Sequence, residues 1–108
     1  MADTAKPIKQ LYDEGMAEVF RVVGSLDATD DQVKLAKQTA KDLSSMLVAH
    51  TLQTIEGRTA LLAGLIVELR QVIDSVQTSP PLAKTLTNLT TILGKAQTLF
   101  AKEKKGLV

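Results

Sequence analysis

Residues 58–77 read RTALLAGLIVELRQVIDSVQ, and this stretch decides the fold. At helical spacing Leu61, Leu62, Leu65 and Ile66 form one flank of its first half, and Ala60, Ala63, Gly64 and Val67 form the other. A helix that is apolar on every side has to be covered on every side. The pattern therefore predicts neighbours on both flanks, with Leu65 and Leu69 among the most buried residues and Gly64 against another helix backbone. From Glu68 onward Arg70, Gln71, Asp74 and Ser75 make one face polar, while Leu69, Val72, Ile73 and Val76 continue the apolar stripe. Such a helix enters the core deeply and leaves it along the surface. Glu68 is the acid nearest the core, and two readings stay open for it. It is a carboxyl perturbed by burial, or the partner of a cation at the rim.

Outward from this helix the same periodicity recurs three times. Before it, Ile8, Tyr12, Gly15, Met16, Val19, Val22, Val23 and Leu26 share one side of a first helix that Gly24 ends. Gly15 on that apolar side suits a close approach by a neighbouring helix. Thr29-Asp30-Asp31-Gln32 has the form of a capping box, in which the Thr and Gln side chains each satisfy an orphan backbone donor. Val33, Ala36, Ala40, Leu43 and Leu47 follow as a heptad-like seam, with Lys34, Lys37, Lys41 and Asp42 outside it. From Met46 to Ile55 both sides turn apolar, which predicts that the end of this second helix is sandwiched. Gly57 then reads as the end of one helix and the hinge into the next. A single rod through Gly57, roughly 70 Å long at 1.5 Å per residue, is the less favoured alternative. Thr78-Ser79-Pro80-Pro81 breaks the chain again, with Ser79 as N-cap and Pro80 first in a fourth helix. The tail from Lys104 to Val108 is expected to fray.

The expected fold is one all-α domain over residues 1–108. It is an antiparallel four-helix bundle with helices at about 7–24, 30–56, 58–77 and 80–104, because short connections make sequential helices neighbours. Composition agrees. Hydrophobic residues are 44% of the 108 residues and aromatics only 3%, so the core is built from aliphatic side chains. Alternating β-branched runs and Asn-Gly or Asp-Gly turns are absent.

The same residues exclude several chemistries. With no cysteine there is no disulfide and no thiolate nucleophile. One histidine and no Glu-x-x-His pair leave no di-metal site, so neither a metal nor another cofactor is expected. No glycine-rich phosphate loop is present, and no nucleophilic triad can be assembled around His50. An enzyme is not expected. The amino-terminal decapeptide lacks an apolar signal core, and Glu68, Arg70 and Asp74 interrupt the longest apolar run before it could span a membrane. A cytoplasmic protein is expected. Net charge is +1, divided as −3 over residues 1–74 and +4 over 75–108. The lysine stripe of the fourth helix (Lys84, Lys95, Lys102) is too sparse for nucleic-acid readout.

His50 lies in Val48-Ala49-His50-Thr51-Leu52-Gln53. On a helix, in a helical domain of this size, this run resembles the histidine-phosphotransfer domains of bacterial relays, whose Ala-His-x-Leu-Lys-Gly motif carries an accessible histidine. The resemblance implies His50 as phosphoryl acceptor. It departs from the family at Gln53, where the motif has lysine, and at Thr54, where it has glycine. Helical phase puts His50 on the Leu43–Leu47 face, towards the core, so a shielded structural histidine is expected.

The fourth helix has a feature that a solvated surface does not require. Leu82, Leu86, Leu89, Leu93, Ala96 and Phe100, with Ile92 and Leu99, supply its core stripe. Opposite them stand Thr87, Thr91, Gly94 and Thr98, and no charge occurs between Lys84 and Lys95. Threonine loses side-chain freedom in a helix, so charged and longer polar residues are the usual occupants of such a face. Thr87, Thr91, Gly94 and Thr98 are the candidate interface. The expected function is a small, bacterial-type, non-catalytic interaction module, an adaptor, an assembly or secretion accessory, or a regulator. It would act on a protein partner or on a second copy of itself as a homodimer. A divergent phosphotransfer domain using His50 is the first alternative. A groove for an apolar ligand between the second, third and fourth helices is the weaker one.

Overall fold

The computed structural model describes residues 4–106. The capping box forms as its spacing requires: the Gln32 amide donates to the Thr29 hydroxyl at 3.1 Å, and the Thr29 amide donates to Gln32 Oε1 at 2.8 Å. Gln32 has a further use. Its Nε2 donates to the Ser75 carbonyl at 2.7 Å and to the Ser79 hydroxyl at 2.9 Å, which ties the start of one helix to the end of another. The chain forms α1 (Ala5–Val23), α2 (Asp30–Ala49), α3 (Ile55–Val76) and α4 (Ala83–Gly106). Each helix packs on its sequence neighbour and α4 closes back on α1, the cycle of an antiparallel four-helix bundle.

The turn between α2 and α3 departs from the expectation. α2 stops at Ala49, because His50 leaves the helix in an extended conformation (φ −124°, ψ 149°). α3 then starts at Ile55, with the Thr54 hydroxyl accepting from the Gly57 amide at 3.0 Å and Glu56 adding acid to the first turn. Gly57 therefore lies inside α3, and the reversal is made by residues 50–54. A Cβ on Gly57 would stand 1.9 Å from the Thr51 carbonyl oxygen, so glycine is needed for close approach of the turn. The sandwiched helix end over 46–55 is corrected with it: Val48 is 89% exposed. The longest dimension of the molecule, 44 Å, rules out the continuous rod.

The fourth helix opens with a 3₁₀ turn, Pro80–Leu82, and Leu82 donates to the Ser79 carbonyl at 2.9 Å. The Ser79 hydroxyl makes no cap here, being engaged by Gln32. At its far end α4 stays helical to Gly106, beyond the expected start of fraying; Leu107 and Val108 lie outside the described residues. Glu103 anchors that end. It is 7% exposed, accepts from Arg58 Nε at 3.0 Å and from the Thr4 hydroxyl, and so joins α4 to α3 and to the cap of α1. Arg58 also donates to the Leu52 carbonyl at 2.9 Å, which draws the α2–α3 turn into the same knot.

Between these ends the core is aliphatic around one aromatic ring. Leu65 and Leu69 are fully enclosed, as the spacing predicts, together with Leu43, Leu61, Leu62 and Leu89. Tyr12 is also fully enclosed, and its hydroxyl donates to the Leu61 carbonyl. The second flank of α3 is covered less than an all-apolar helix implies. Ala60, Ala63 and Gly64 are half-buried, and Val67 is 54% exposed. Gly64 meets a side chain instead of a backbone: a Cβ there would lie 2.5 Å from Met46 Sδ. Leu26, expected on the apolar face of α1, is fully exposed because it lies beyond Gly24, where helical phase no longer governs it. No helix among the described residues is long and apolar enough to cross a membrane.

The glycines give a direct check of this packing. A Cβ on Gly15 would make ordinary contacts of 3.5 Å with Leu65 and Leu69 methyls. Gly15→Ala should leave stability unchanged or raise it by up to about 1 kcal/mol through helix propensity. Gly57→Ala should lower it by about 2–4 kcal/mol, since a backbone carbonyl has to move. Urea midpoints of the two variants should rank in that order; the reverse order would contradict the turn described for residues 50–54.

Candidate interaction surface

Three sides of α4 are set by what they meet. Leu82, Thr85, Leu89, Ile92, Ala96 and Glu103 are buried in the bundle, and Leu86, Leu93, Leu99 and Phe100 are half-buried beside them. Lys104 lies over the Phe100 ring at 5.6 Å, so its ammonium covers part of that exposed edge. The side facing α1 lines two adjoining open clefts. Lys95, Thr98 and Leu99 meet Pro7, Gln10, Leu11 and Glu14 in one. Asn88, Thr91, Ile92 and Lys95 meet Glu14, Ala17, Glu18 and Arg21 in the other. In the second cleft Glu18 is already satisfied, by Arg21 at 3.2 Å and by Asn88 Nδ2 at 3.2 Å.

The structure places all four candidate interface residues on the exposed side of α4. Thr87, Thr91, Gly94 and Thr98 are exposed, Thr91 and Thr98 on the rims of the α1 clefts and Gly94 with no atom within 4 Å of where its Cβ would stand. The threonine hydroxyls are turned inward. Thr87 donates to the Ala83 carbonyl at 3.1 Å, Thr90 to Leu86 at 2.8 Å, Thr91 to Thr87 at 3.0 Å and Thr98 to Gly94 at 3.1 Å. A hydroxyl bonded four residues back along its own helix has spent its donor. What these side chains offer the outside is a Cγ2 methyl and an acceptor oxygen without a free donor, so a face that reads as polar is depleted of donors and of charge around an open glycine. The half-covered flank of α3 adds apolar surface that the sequence reading assigned to the core, with Val67 54% exposed and no charge between Arg58 and Glu68.

The other sequence-nominated residue behaves differently from its expectation. His50 is exposed, not shielded. Because α2 ends one residue earlier, helical phase no longer aims it at the Leu43 face. Its amide donates to the Met46 carbonyl at 3.0 Å as the C-cap of α2. It stands apart from the α4 face and shares no hydrogen bond or ion pair with another side chain among the described residues. Among those residues no three His, Asp or Glu side chains gather as a metal site. The region between α2, α3 and α4, where the weaker alternative places an apolar-ligand groove, is occupied by Leu43, Leu61, Leu65, Leu69 and Leu89, all without exposure.

Glu68 resolves towards burial and away from the rim. It is 7% exposed, and neither it nor Asp42 is paired with a lysine or arginine among the described residues. Comparison with protein-family models, with curated proteins and with solved structures gives no significant match to this chain.

Because Thr87 and Thr91 are exposed and their hydroxyls bond only within α4, charge placed there should leave the fold intact. Thr87→Lys and Thr91→Lys should each keep the helical circular-dichroism signal and shift stability by no more than about 0.5 kcal/mol in the monomer. A large loss in either variant, measured where the protein is monomeric, would mean that the face is packed.

Proposed function

We propose that the protein is a non-catalytic helical interaction module that works through the outer face of α4, first of all by pairing with a second copy of itself. One observation carries the reading: Thr87, Thr90 and Thr91, exposed and with their hydroxyls committed to backbone carbonyls, stand beside an open glycine in a helix segment without charge, and Thr98 repeats the pattern one turn after Gly94. Surfaces lose charge chiefly where a partner will cover them, and Gly94 leaves room for a second backbone. Most soluble oligomers are two-fold, so two α4 helices crossing antiparallel is the simplest arrangement. The lysine edge (Lys84, Lys95, Lys102) bounds the contact, since like charges across a two-fold axis have to stay at its rim.

Sedimentation of the wild type at tens of micromolar should give a dimer, and Thr91→Lys should dissociate it. A monomeric wild type at that concentration would leave this face to a different protein. A dimer indifferent to Thr91→Lys would place the contact elsewhere.

The exposure of His50 supports a second reading, a divergent phosphotransfer domain. It supplies the accessibility such an acceptor needs, although the helix on which the resemblance rests ends at Ala49. Incubation with acetyl phosphate or a phosphorylated response regulator separates the two. Under the interaction-module reading no acid-labile phosphohistidine forms, and labelling abolished by His50→Gln would favour phosphotransfer instead.

A further inference from the structure

Two acids, Asp42 and Glu68, meet across the seam between α2 and α3, and neither is paired with a lysine or arginine among the described residues. The register of the seam is set one turn away, where Met46 covers Gly64. Moving back four residues on α2 and forward four on α3, which run antiparallel, brings Asp42 opposite Glu68. Glu68 is 7% exposed, and its Oε1 is fully enclosed and accepts no hydrogen bond. Thr39, one turn before Asp42 on α2, is also wholly buried with its hydroxyl unbonded. Two carboxylates cannot both be ionised at short range in so apolar a seam without a large penalty. We propose that Glu68 and Asp42 share one proton across the α2–α3 seam, and that this pair makes closure of the helical hairpin dependent on pH.

The groups facing the pair decide where the proton rests. From α2, Gln38 Nε2 donates to Asp42 Oδ1 at 2.8 Å, so that oxygen already serves as an acceptor. From α1 the Tyr12 hydroxyl faces Glu68, and it is already given to the Leu61 carbonyl. Glu68 thus carries the proton and donates it to Asp42. Burial first, and the neighbouring Asp42 second, push the Glu68 carboxyl up to about 7.

The direction of the effect follows. The folded chain holds this proton more tightly than the unfolded chain, whose carboxyl releases it near 4.5. The stabilisation is therefore complete below about 4.5 and is lost as pH rises through about 7. Above that, a second negative charge lies in the seam beside the Met46–Gly64 contact, and α2 and α3 are held less firmly.

Chemical denaturation of the full chain at a series of pH values tests this. Between pH 5 and pH 8 the unfolded-to-folded ratio of the wild type should rise by about a hundredfold. Glu68→Gln, which keeps the shape and removes the charge, should abolish most of that rise and be the more stable protein at pH 8. Asp42→Asn should reduce it. His50→Gln, a change at the single histidine of the chain, should leave it in place. Carboxyl carbon NMR of the folded wild type checks the proton directly, without any substitution: the Glu68 signal should titrate above pH 6. A wild type with flat stability over this range, a slope retained in Glu68→Gln, or a Glu68 signal titrating near 4.5 would each overturn the proposal.

Discussion

The hydrogen bond from Tyr12 to the Leu61 carbonyl is the contact on which the arrangement of the first three helices depends. A buried phenol without a partner would be strongly destabilising, and here the acceptor is a backbone oxygen of α3, diagonally across the bundle. The ring fills the centre of a core whose other large members are aliphatic, while the hydroxyl also comes within 3.8 Å of Met46 Sδ on α2. One side chain of α1 therefore fixes the height of α3 and touches α2. That height sets the rest. With Leu61 held, Gly64 falls beneath Met46 and Glu68 falls beside Asp42. Burial also holds the Tyr12 proton well beyond its ordinary range, so the bond persists wherever the protein is folded.

The two ends of the bundle are closed by different means. At one end, Gln32 serves the capping box and the α3–α4 turn with the same amide group, and the association is neutral. At the other, Arg58 and Glu103 form a largely enclosed ion pair whose carboxylate also takes the Thr4 hydroxyl. A buried pair of this kind repays its desolvation only when its remaining donors and acceptors are engaged, and the Leu52 carbonyl and Thr4 supply that engagement. Glu103 is the sole acid in a basic carboxy-terminal segment. Its burial explains why the last turn of α4 stays ordered where composition alone argues for fraying.

How much of this was legible in the sequence depends on the range of the forces involved. The capping box and the stripe through Leu65 and Leu69 could be read because each is decided within one or two helical turns. The α2–α3 turn was misread because two signals competed. Gly57 resembles a helix stop, but Thr54 three residues earlier is a better N-cap, and the approach of the Thr51 carbonyl gives Gly57 another reason to be glycine. That single shift explains the errors at Val48 and His50, since both were placed by the phase of a helix that had already ended. Val67 failed differently. Apolar residues around a helix demand cover, but a square bundle gives each helix two neighbours and a diagonal, leaving an outer strip open. The candidate face of α4 was legible as a gap in charge. The inward turn of its threonine hydroxyls was not, because rotamers are chosen by local geometry.

The inward hydroxyls change what the α4 face presents to solvent. A threonine that hydrates its hydroxyl gives water a donor and an acceptor, whereas one that returns its proton to the helix backbone leaves water only the acceptor. Helix formation itself thus takes the hydroxyl donors of Thr87, Thr90, Thr91 and Thr98 out of contact with water and leaves a less polar surface in the folded chain than in the unfolded one. Such a surface carries little of the aggregation hazard of an equivalent valine stripe before folding, since the unfolded chain keeps its hydroxyls wetted. After folding it lacks charge that a partner would have to desolvate. The open space over Gly94 then matters more than any attraction, because close approach multiplies many weak dispersion contacts. The face is suited to a contact that exists only between folded molecules.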